Sequence, residues 1–307
     1  MMKMQEFRTS VHRVVAGVVA LAVMPAMAAC GSSVDSQSAS NSQPDKVEVV
    51  VSINQWESLA RQLGGDKAEV TSILSNQNVD AHDFEPQPSD IAKISKAQIV
   101  LANGADYDAW ATKAAGNSSA AVIDVAETSG AGEGANPHLW FSSEARSAAA
   151  KEYLAQLKKA DVADSDYFDA QYTKWEKSED ELKQSIAEAK KVTEGRTYAA
   201  TESVAYYLAE DLGLKDVTPT GYMQAVTNDS EPAPGDLKTF QEMLTSKSAS
   251  LLLVNTQEQS STTELITKAA QKGSVPVVEL TESMPSNYSS LTDWVKALVE
   301  SIQKKMK

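Results

Sequence analysis

The sequence predicts an α/β protein made of two lobes of parallel β-sheet that are joined by a single long α-helix. Three observations lead to this prediction. From Lys46 onward, short aliphatic runs alternate with amphipathic segments, a pattern typical of parallel α/β layers. Residues 143–193 interrupt this alternation with a stretch that lacks Gly and Pro and whose apolar residues recur at helical spacing. After Gly195 the alternation resumes, so the helical stretch lies between two similar halves.

The first half contains four predicted strands and two predicted helices. The strands are runs rich in β-branched and aliphatic residues, at 47–53, 69–74, 99–102 and 121–125. The helices cover 56–63, which ends at Gly64-Gly65, and 88–96, for which Ser89 is the expected N-cap beside Pro88.

The central stretch predicts two consecutive helices. Ala, Lys, Glu, Gln and Leu dominate it, and Asp and small residues at 161–164 mark the break. The first helix is expected to have roughly 15 residues and the second roughly 25–28, ending at Gly195. The second helix is then about 40 Å long at about 1.5 Å per residue. Its apolar positions are too irregular for the sustained heptads of a coiled coil.

The second half repeats the alternation. Strands are predicted at 197–201, 250–255 and 275–280, helices at 204–212, 235–247, 262–272 and 291–304, and an extended stretch at 216–222. These elements place the first lobe at 46–163, the linking helix at 164–194 and the second lobe at 195–307.

Composition excludes several classes of function. The 307 residues include 42 acidic and 28 basic side chains, with a formal net charge of −14, whereas a nucleic-acid phosphate backbone selects a basic surface. We therefore expect no nucleic-acid partner. A single cysteine excludes a disulfide framework, an iron–sulfur cluster and a cysteine-rich zinc module. The sequence also lacks a Gly-x-x-x-x-Gly-Lys phosphate loop and a Gly-x-Ser-x-Gly nucleophile elbow.

The first 45 residues have the features of an export signal followed by a tether. Residues 1–29 combine a basic start, an apolar run at 14–23 and small residues before Cys30. The segment Met27-Ala28-Ala29-Cys30 resembles the lipobox of bacterial lipoproteins, which prefer Leu where Met27 stands. The resemblance implies that Cys30 is the lipidated first residue of the mature protein. Residues 30–45 are mostly polar and predict a flexible tether between a membrane anchor and the folded part.

Two of the three histidines lie in loops that precede helices. His82 stands in Val79-Asp80-Ala81-His82-Asp83-Phe84-Glu85-Pro86, and His138 stands in Asn136-Pro137-His138-Leu139-Trp140. In open α/β sheets, ligands bind at loops of this kind, where strands end and helices begin. A single loop histidine is more often a surface residue than a ligand, but two of them in loops flanked by Pro and aromatic residues leave the two interpretations about equal.

The surrounding motifs resemble those of the metal-binding lipoproteins that feed bacterial manganese and zinc ABC importers. His82 to Asp90 resembles that family's His-x-Phe-Glu-Pro-x-Pro-x-Asp motif, and Asn136 to Trp140 resembles its Asp/Asn-Pro-His-x-Trp motif. Weaker similarities lie at 65–70 and 228–237, and the match runs from about Val47 to the carboxyl end.

The resemblance implies one divalent cation bound between the lobes by four side chains. His82 and His138 match the two histidines of the first lobe, and Glu202 stands where the family has His or Glu after a strand of the second lobe. Glu282, in Leu280-Thr281-Glu282-Ser283-Met284, replaces the family's usual Asp and lengthens that side chain by one methylene. Glu258 is the alternative fourth ligand.

The predicted ligands favour Mn²⁺, with Zn²⁺ next. Two imidazoles and two carboxylates suit Zn²⁺, Mn²⁺ or Fe²⁺. Zinc-binding members of the family usually supply a third histidine and a histidine-rich loop, and this sequence has neither: position 202 is Glu, and residues 130–135 contain no His. The general affinity order still places Zn²⁺ above Mn²⁺, so selectivity rests on geometry and supply.

The resemblance implies an extracytoplasmic solute-binding lipoprotein, not an enzyme. It would act as a monomer on the outer face of the cell membrane and deliver its metal to a membrane permease with a cytoplasmic ATPase. Two alternatives stay open on the sequence. A secreted metal-dependent hydrolase needs an open metal site and a general base, for which no His-Glu-x-x-His motif is present. A surface adhesin would hold a purely structural metal.

Overall fold

The first lobe is a parallel four-stranded sheet with helices on both sides. The computed structural model describes residues 46–75, 79, 84–132 and 134–307; the predicted leader, Cys30, the tether and His82 lie outside these ranges. The strand order is β2-β1-β3-β4. The strands are β1 Val47–Ile53, β2 Ala68–Leu74, β3 Ile99–Ala102 and β4 Ala121–Asp124, and the helices are α1 Asn54–Gly64, α2 Pro88–Lys96, α3 Ala109–Ala115 and α4 Val125–Ser129.

Strand β1 is buried on both faces, as expected for a central strand of a parallel sheet. Because side chains alternate along a strand, its residues divide between two hydrophobic clusters. Val49 and Val51 face the main core, whereas Val50 packs with Ile94 and Val100 in a smaller cluster on the opposite face.

The start of α2 differs from the prediction. The N-cap is Gln87 rather than Ser89, and Pro88 occupies the first helical turn. The Gln87 backbone N–H donates to the Asp90 carboxylate at 3.0 Å, which closes a capping box. Proline at the first helical position lacks the N–H that would be unpaired there in any case.

Two helices follow the first sheet, α5 Ser143–Ala160, which packs on elements of the first lobe, and the long joining helix α6 Ser165–Thr193, with the break at 161–164 as predicted. The 29 residues of α6 make a helix about 43 Å long. Its buried positions lie three, four or seven residues apart, but Glu179 and Thr193 are among them. These two polar residues explain why the apolar pattern of the sequence looked irregular.

The second lobe is a second parallel four-stranded sheet, with strand order β6-β5-β7-β8. The strands are β5 Thr197–Ala200, β6 Lys215–Asp216, β7 Leu252–Asn255 and β8 Val277–Leu280. The helices are α7 Tyr206–Asp211, α8 Thr220–Thr227, α9 Pro234–Thr245, α10 Ser261–Gly273 and α11 Leu291–Met306. The predicted fold class, two α/β lobes with a long joining helix, is confirmed.

The prediction of an extended stretch at 216–222 was wrong, because helix α8 begins at Thr220. Tyr222 is buried, its Oη donates to the Thr201 carbonyl at 3.1 Å, and its ring lies 4.8 Å from that of Phe240. This tertiary packing explains a helix that local propensity did not indicate.

One hydrophobic core runs through both lobes. It joins Val51 and Trp56 of the first lobe, Leu182 of α6, Leu253 of the second sheet and Val295 of α11. Helix α11 packs against α6, α1 and β8. No helix within the described ranges is long and apolar enough to cross a membrane.

Candidate metal site

His138 lies in the loop between α4 and a short 3₁₀ turn at Leu139–Phe141. The residue is only 8% exposed, and its ring lies 5.3 Å from that of Trp140. Asn103, fully buried, donates from Nδ2 to the Pro137 carbonyl at 2.8 Å and accepts from Trp56 Nε1 at 3.1 Å. The backbone just before the imidazole is therefore fixed by the interior of the first lobe.

Asn136 determines which nitrogen of His138 is available. Its Nδ2 donates to the carbonyl of Ser203 at 3.0 Å and to the Ser203 hydroxyl at 2.8 Å. Because a carbonyl can only accept, this bond fixes the amide orientation and points Oδ1 at His138. Oδ1 lies 2.8 Å from His138 Nδ1 and 3.0 Å from the His138 backbone nitrogen. Nδ1 therefore carries a proton, and Nε2 is the nitrogen that can bind a metal.

Glu282 faces that nitrogen. Its Oε1 lies 2.9 Å from His138 Nε2, and both side chains are largely shielded from solvent. A carboxylate and an imidazole nitrogen at this distance need a proton or a cation between them. The backbone N–H groups of Glu282 and Ser283 both donate to Gln257 Oε1, at 2.6 and 2.8 Å.

Glu202 lies two residues after the end of β5, in extended conformation. Its Oε2 accepts from Asn255 Nδ2 at 2.5 Å, and Asn255 is the buried last residue of β7. Burial, and after it the negative charge of Glu202, raise the pKa of Tyr222 above its usual range. Tyr222 thus stays neutral beside the carboxylate.

The two carboxylates occupy one edge of the second sheet. Glu202 follows β5 and Glu282 follows β8, and the carboxyl ends of parallel strands meet at the same edge. Glu258 belongs to the loop that follows β7 at this edge. The His138 loop meets the same edge, since Asn136 bonds to Ser203 and Tyr207 Oη donates to the Asn136 carbonyl at 2.9 Å.

The described residues form part of the predicted ligand set. His138 and Glu282 are in direct contact, and Glu202 lies next to Ser203, the partner of Asn136. Among the residues that the structure describes, no group of three or more His, Cys, Asp or Glu side chains could hold a metal ion, and His82 lies outside those residues. The four-ligand set therefore stays a prediction.

The sequence interpretation did not identify the amides around the candidate ligands. These are Asn255 at Glu202, Gln257 at the Glu282 backbone, and Asn136 at His138. Asn136 belongs to the Asn-Pro-His motif and could have been singled out there. Asn255 and Gln257 carry no local signal, because their roles arise only when β7 lies beside β5 and β8.

Comparison with known proteins identifies related sequences over most of the chain. The family model of the periplasmic zinc-uptake complex component A, ZnuA, matches residues 49–305. The high-affinity zinc uptake system protein ZnuA of Bacillus subtilis is 25% identical over 232 residues, 69% of this chain and 71% of the relative. The manganese ABC transporter substrate-binding lipoprotein PsaA of Streptococcus pneumoniae is 27% identical over 252 residues, 75% and 78% of the two chains. The iron ABC transporter substrate-binding lipoprotein MtsA of Streptococcus pyogenes serotype M1 is 26% identical over 247 residues, 73% and 76%.

Solved structures share the fold. The periplasmic zinc-binding protein TroA of Treponema pallidum superposes with a TM-score of 0.71 at 17% identity, covering 85% of this chain and 99% of that one. The laminin-binding protein Lmb of Streptococcus agalactiae, described as bifunctional with adhesin and metal-transporting activity, gives a TM-score of 0.71 at 20% identity, covering 84% and 99%. At these identities the likeness shows the common two-lobe architecture.

Proposed function

We propose a function from one premise: this chain belongs to the family of the periplasmic zinc-uptake complex component A. It is therefore a metal-binding, substrate-binding protein of an ABC importer, and it is not an enzyme. This excludes the hydrolase alternative. The curated relatives are named for zinc, manganese and iron, so membership alone does not select the metal.

The proposed cargo is Mn²⁺, with Zn²⁺ next, held by His82, His138, Glu202 and Glu282. The observation that carries this proposal is the pairing of His138 Nε2 with Glu282 Oε1 at 2.9 Å, while Nδ1 bonds to Asn136. A neutral imidazole with its second nitrogen hydrogen-bonded is the usual form of a metal-binding histidine. Two carboxylates beside two imidazoles favour a cation that prefers oxygen more than Zn²⁺ does.

The proposed setting is the outer face of the cell membrane. Relatives named as lipoproteins of ABC transporters support an extracytoplasmic location, and Cys30 is the proposed lipid attachment point. The proposed partners are a membrane permease and its cytoplasmic ATPase, to which the protein docks as a monomer.

The first prediction concerns the ligands. Metal-free protein is titrated with Mn²⁺ and Zn²⁺ under anaerobic conditions, together with His82→Ala, His138→Ala, Glu202→Ala and Glu282→Ala variants. We expect the parent to bind Mn²⁺ with a dissociation constant below about 10 μM, a free energy of about −7 kcal/mol or better. Each variant should bind at least about 100-fold more weakly, because loss of a ligand should cost no less than loss of an outer partner of a ligand. Glu181→Ala, which removes an exposed carboxylate of α6, is the matched control and should bind like the parent.

Three outcomes contradict parts of this proposal. A parent that binds Zn²⁺ but no Mn²⁺ below about 10 μM rules out manganese as the cargo. A Glu282→Ala variant that binds like the parent shifts the fourth ligand to Glu258. Metal-free protein that unfolds would indicate a structural metal, as in the adhesin alternative, whereas a carrier must stay folded and rebind its cargo.

A further inference from the structure

Three carboxamide side chains hold the loop that carries Glu282. We call Asn54, Gln55 and Gln257 the amide clamp. Asn54 pairs with both backbone groups of Met284: its Nδ2 donates to the carbonyl at 3.0 Å, and its Oδ1 accepts from the N–H at 3.3 Å. Gln55 Nε2 donates to the Glu282 carbonyl at 3.0 Å. Gln257 Oε1 accepts from the N–H groups of Glu282 and Ser283.

The three residues of the amide clamp belong to different lobes. Gln257 belongs to the second lobe, in the loop after β7, whereas Asn54 and Gln55 form the first turn of α1 in the first lobe. Ser58, one turn further along α1, accepts from the Leu291 backbone N–H at 2.8 Å. Residues 54, 55 and 58 share one helix face. That face therefore lies along the segment 282–291 of the other lobe.

The position of Glu282 is consequently fixed from two sides. Its backbone N–H bonds to the second lobe through Gln257, and its carbonyl bonds to the first lobe through Gln55, which is 2% exposed. Its carboxylate meets His138, which is itself held by the first lobe. The segment 281–284 lies outside any helix or strand, so side-chain amides supply hydrogen bonds that regular structure would otherwise provide.

We propose that Asn54 and Gln55 are positioning residues that hold the Glu282 carboxylate against His138 and thereby slow release of the bound metal. The inference rests on the proposed function, since it takes Glu282 as a ligand. Neither residue touches the metal in this scheme. Outer partners of metal ligands commonly change affinity by about 10–100-fold when they are replaced.

The test uses uncharged substitutions of similar size, because an added carboxylate would itself attract a cation. Asn54→Leu and Gln55→Met each remove the amide bonds to the loop. Gln156→Met is the matched control: Gln156 is half-buried on α5, and its Nε2 donates to Glu152 one turn away on the same helix. Release of Mn²⁺ and of Zn²⁺ from loaded protein is followed by stopped-flow mixing with excess chelator.

We expect the Asn54→Leu and Gln55→Met variants each to release metal about tenfold faster than the parent. The Gln156→Met control should stay within about twofold of the parent. In a Glu282→Gln background the two clamp substitutions should have no further effect on the release rate, because the carboxylate they position is gone. A merely structural role would accelerate release equally in both backgrounds. If Gln55→Met does not fold, Asn54→Leu at the half-buried helix start carries the test alone.

The outcomes separate this inference from the proposed function. A parent that binds neither Mn²⁺ nor Zn²⁺ overturns the proposed function, and the inference with it. A parent that binds metal and is insensitive to Glu282→Gln overturns the inference alone, since a different residue is then the ligand. Clamp variants that release metal at the parent rate, while Glu282→Gln weakens binding, also overturn the inference alone.

Discussion

At the scale of single residues, Asn136 has two roles that require a carboxamide. Its Oδ1 accepts from His138, and its Nδ2 donates to Ser203 in the second lobe. A carboxylate at this position could take the first role but not the second, because it has no hydrogen to donate. Substitution can therefore separate orientation of the imidazole from the bridge between the lobes.

Two variants of Asn136 make this separation measurable. Asn136→Leu removes both roles, so we expect metal affinity to fall about 10–100-fold. Asn136→Asp keeps an acceptor for Nδ1, so it should retain most of the affinity yet lose about 1–3 kcal/mol of folding stability, because a carboxylate then faces the Ser203 carbonyl. Metal titration and urea unfolding measure the two effects. Ser203→Ala, which leaves the carbonyl acceptor in place, should affect both measurements less. Equal loss of affinity in the Asp and Leu variants would mean that Asn136 acts through Ser203 rather than through the imidazole.

At the scale of elements, a buried ion pair joins α5 to α6. Arg146 and Glu179 are 0% and 1% exposed, and their closest nitrogen–oxygen distance is 2.7 Å. Arg146 Nη1 also donates to the Trp140 carbonyl at 2.9 Å, two residues beyond His138. The linking helix is thus connected through one guanidinium to the 3₁₀ turn that follows the candidate ligand.

The ion pair should be costly to break and much less costly to replace. Glu179→Leu leaves the Arg146 charge buried without its partner, so we expect a loss of about 3–5 kcal/mol in the free energy of unfolding. The double variant Arg146→Met/Glu179→Leu removes both charges and should be more stable than Glu179→Leu alone. Urea denaturation of the two variants tests this. The exposed pair Lys268–Glu264 provides a control, since Glu264→Leu should change stability by less than about 1 kcal/mol. A double variant less stable than the single one contradicts the argument.

The helices and strands that the sequence predicts are those whose formation and bounds depend mainly on local sequence. Helix α6 has no Gly or Pro, and its end near Gly195 was visible in the sequence. The short helices α3 and α4 and helix α8 were not predicted, and α8 depends on packing of Tyr222 that arises only in the folded chain. The same limit applies to the candidate site. Glu202 and Glu282 are predicted as ligands from the family resemblance, which places ligands after strands of the second lobe, whereas Asn54 and Gln55 meet partners 230 and 227 residues away and carry no such motif.

At the scale of the whole molecule, the largest hydrophobic core is shared by the two lobes. Trp294 of α11 lies 5.2 Å from Phe141, which precedes α5, and both belong to the cluster that also contains Trp56 and Leu253. A second cluster, around Phe240 and Ile266, is confined to the second lobe. The shared core predicts that neither lobe is stable without the other.

We therefore expect metal-free protein to unfold in a single cooperative transition, although chains of this length often unfold in several steps. Scanning calorimetry should show one peak with equal calorimetric and van't Hoff enthalpies, and tryptophan fluorescence and circular dichroism should change together. Two separated peaks would show that the lobes fold independently. Val295→Ala, which shortens a fully buried side chain of the shared core, should lower the temperature of the whole transition rather than split it.

The hydrogen bond between Ser58 and Leu291 has a consequence for how the chain acquires its structure. These residues are 233 positions apart, yet they meet in the interior. Contacts between such distant positions form late, because a very large loop has to close before they can stabilise anything. Refolding from denaturant should accordingly be slow, and during synthesis the first lobe remains incomplete until α11 has been made. Slow folding of this kind would favour export of the chain in its unfolded state, which the predicted leader at residues 1–29 implies.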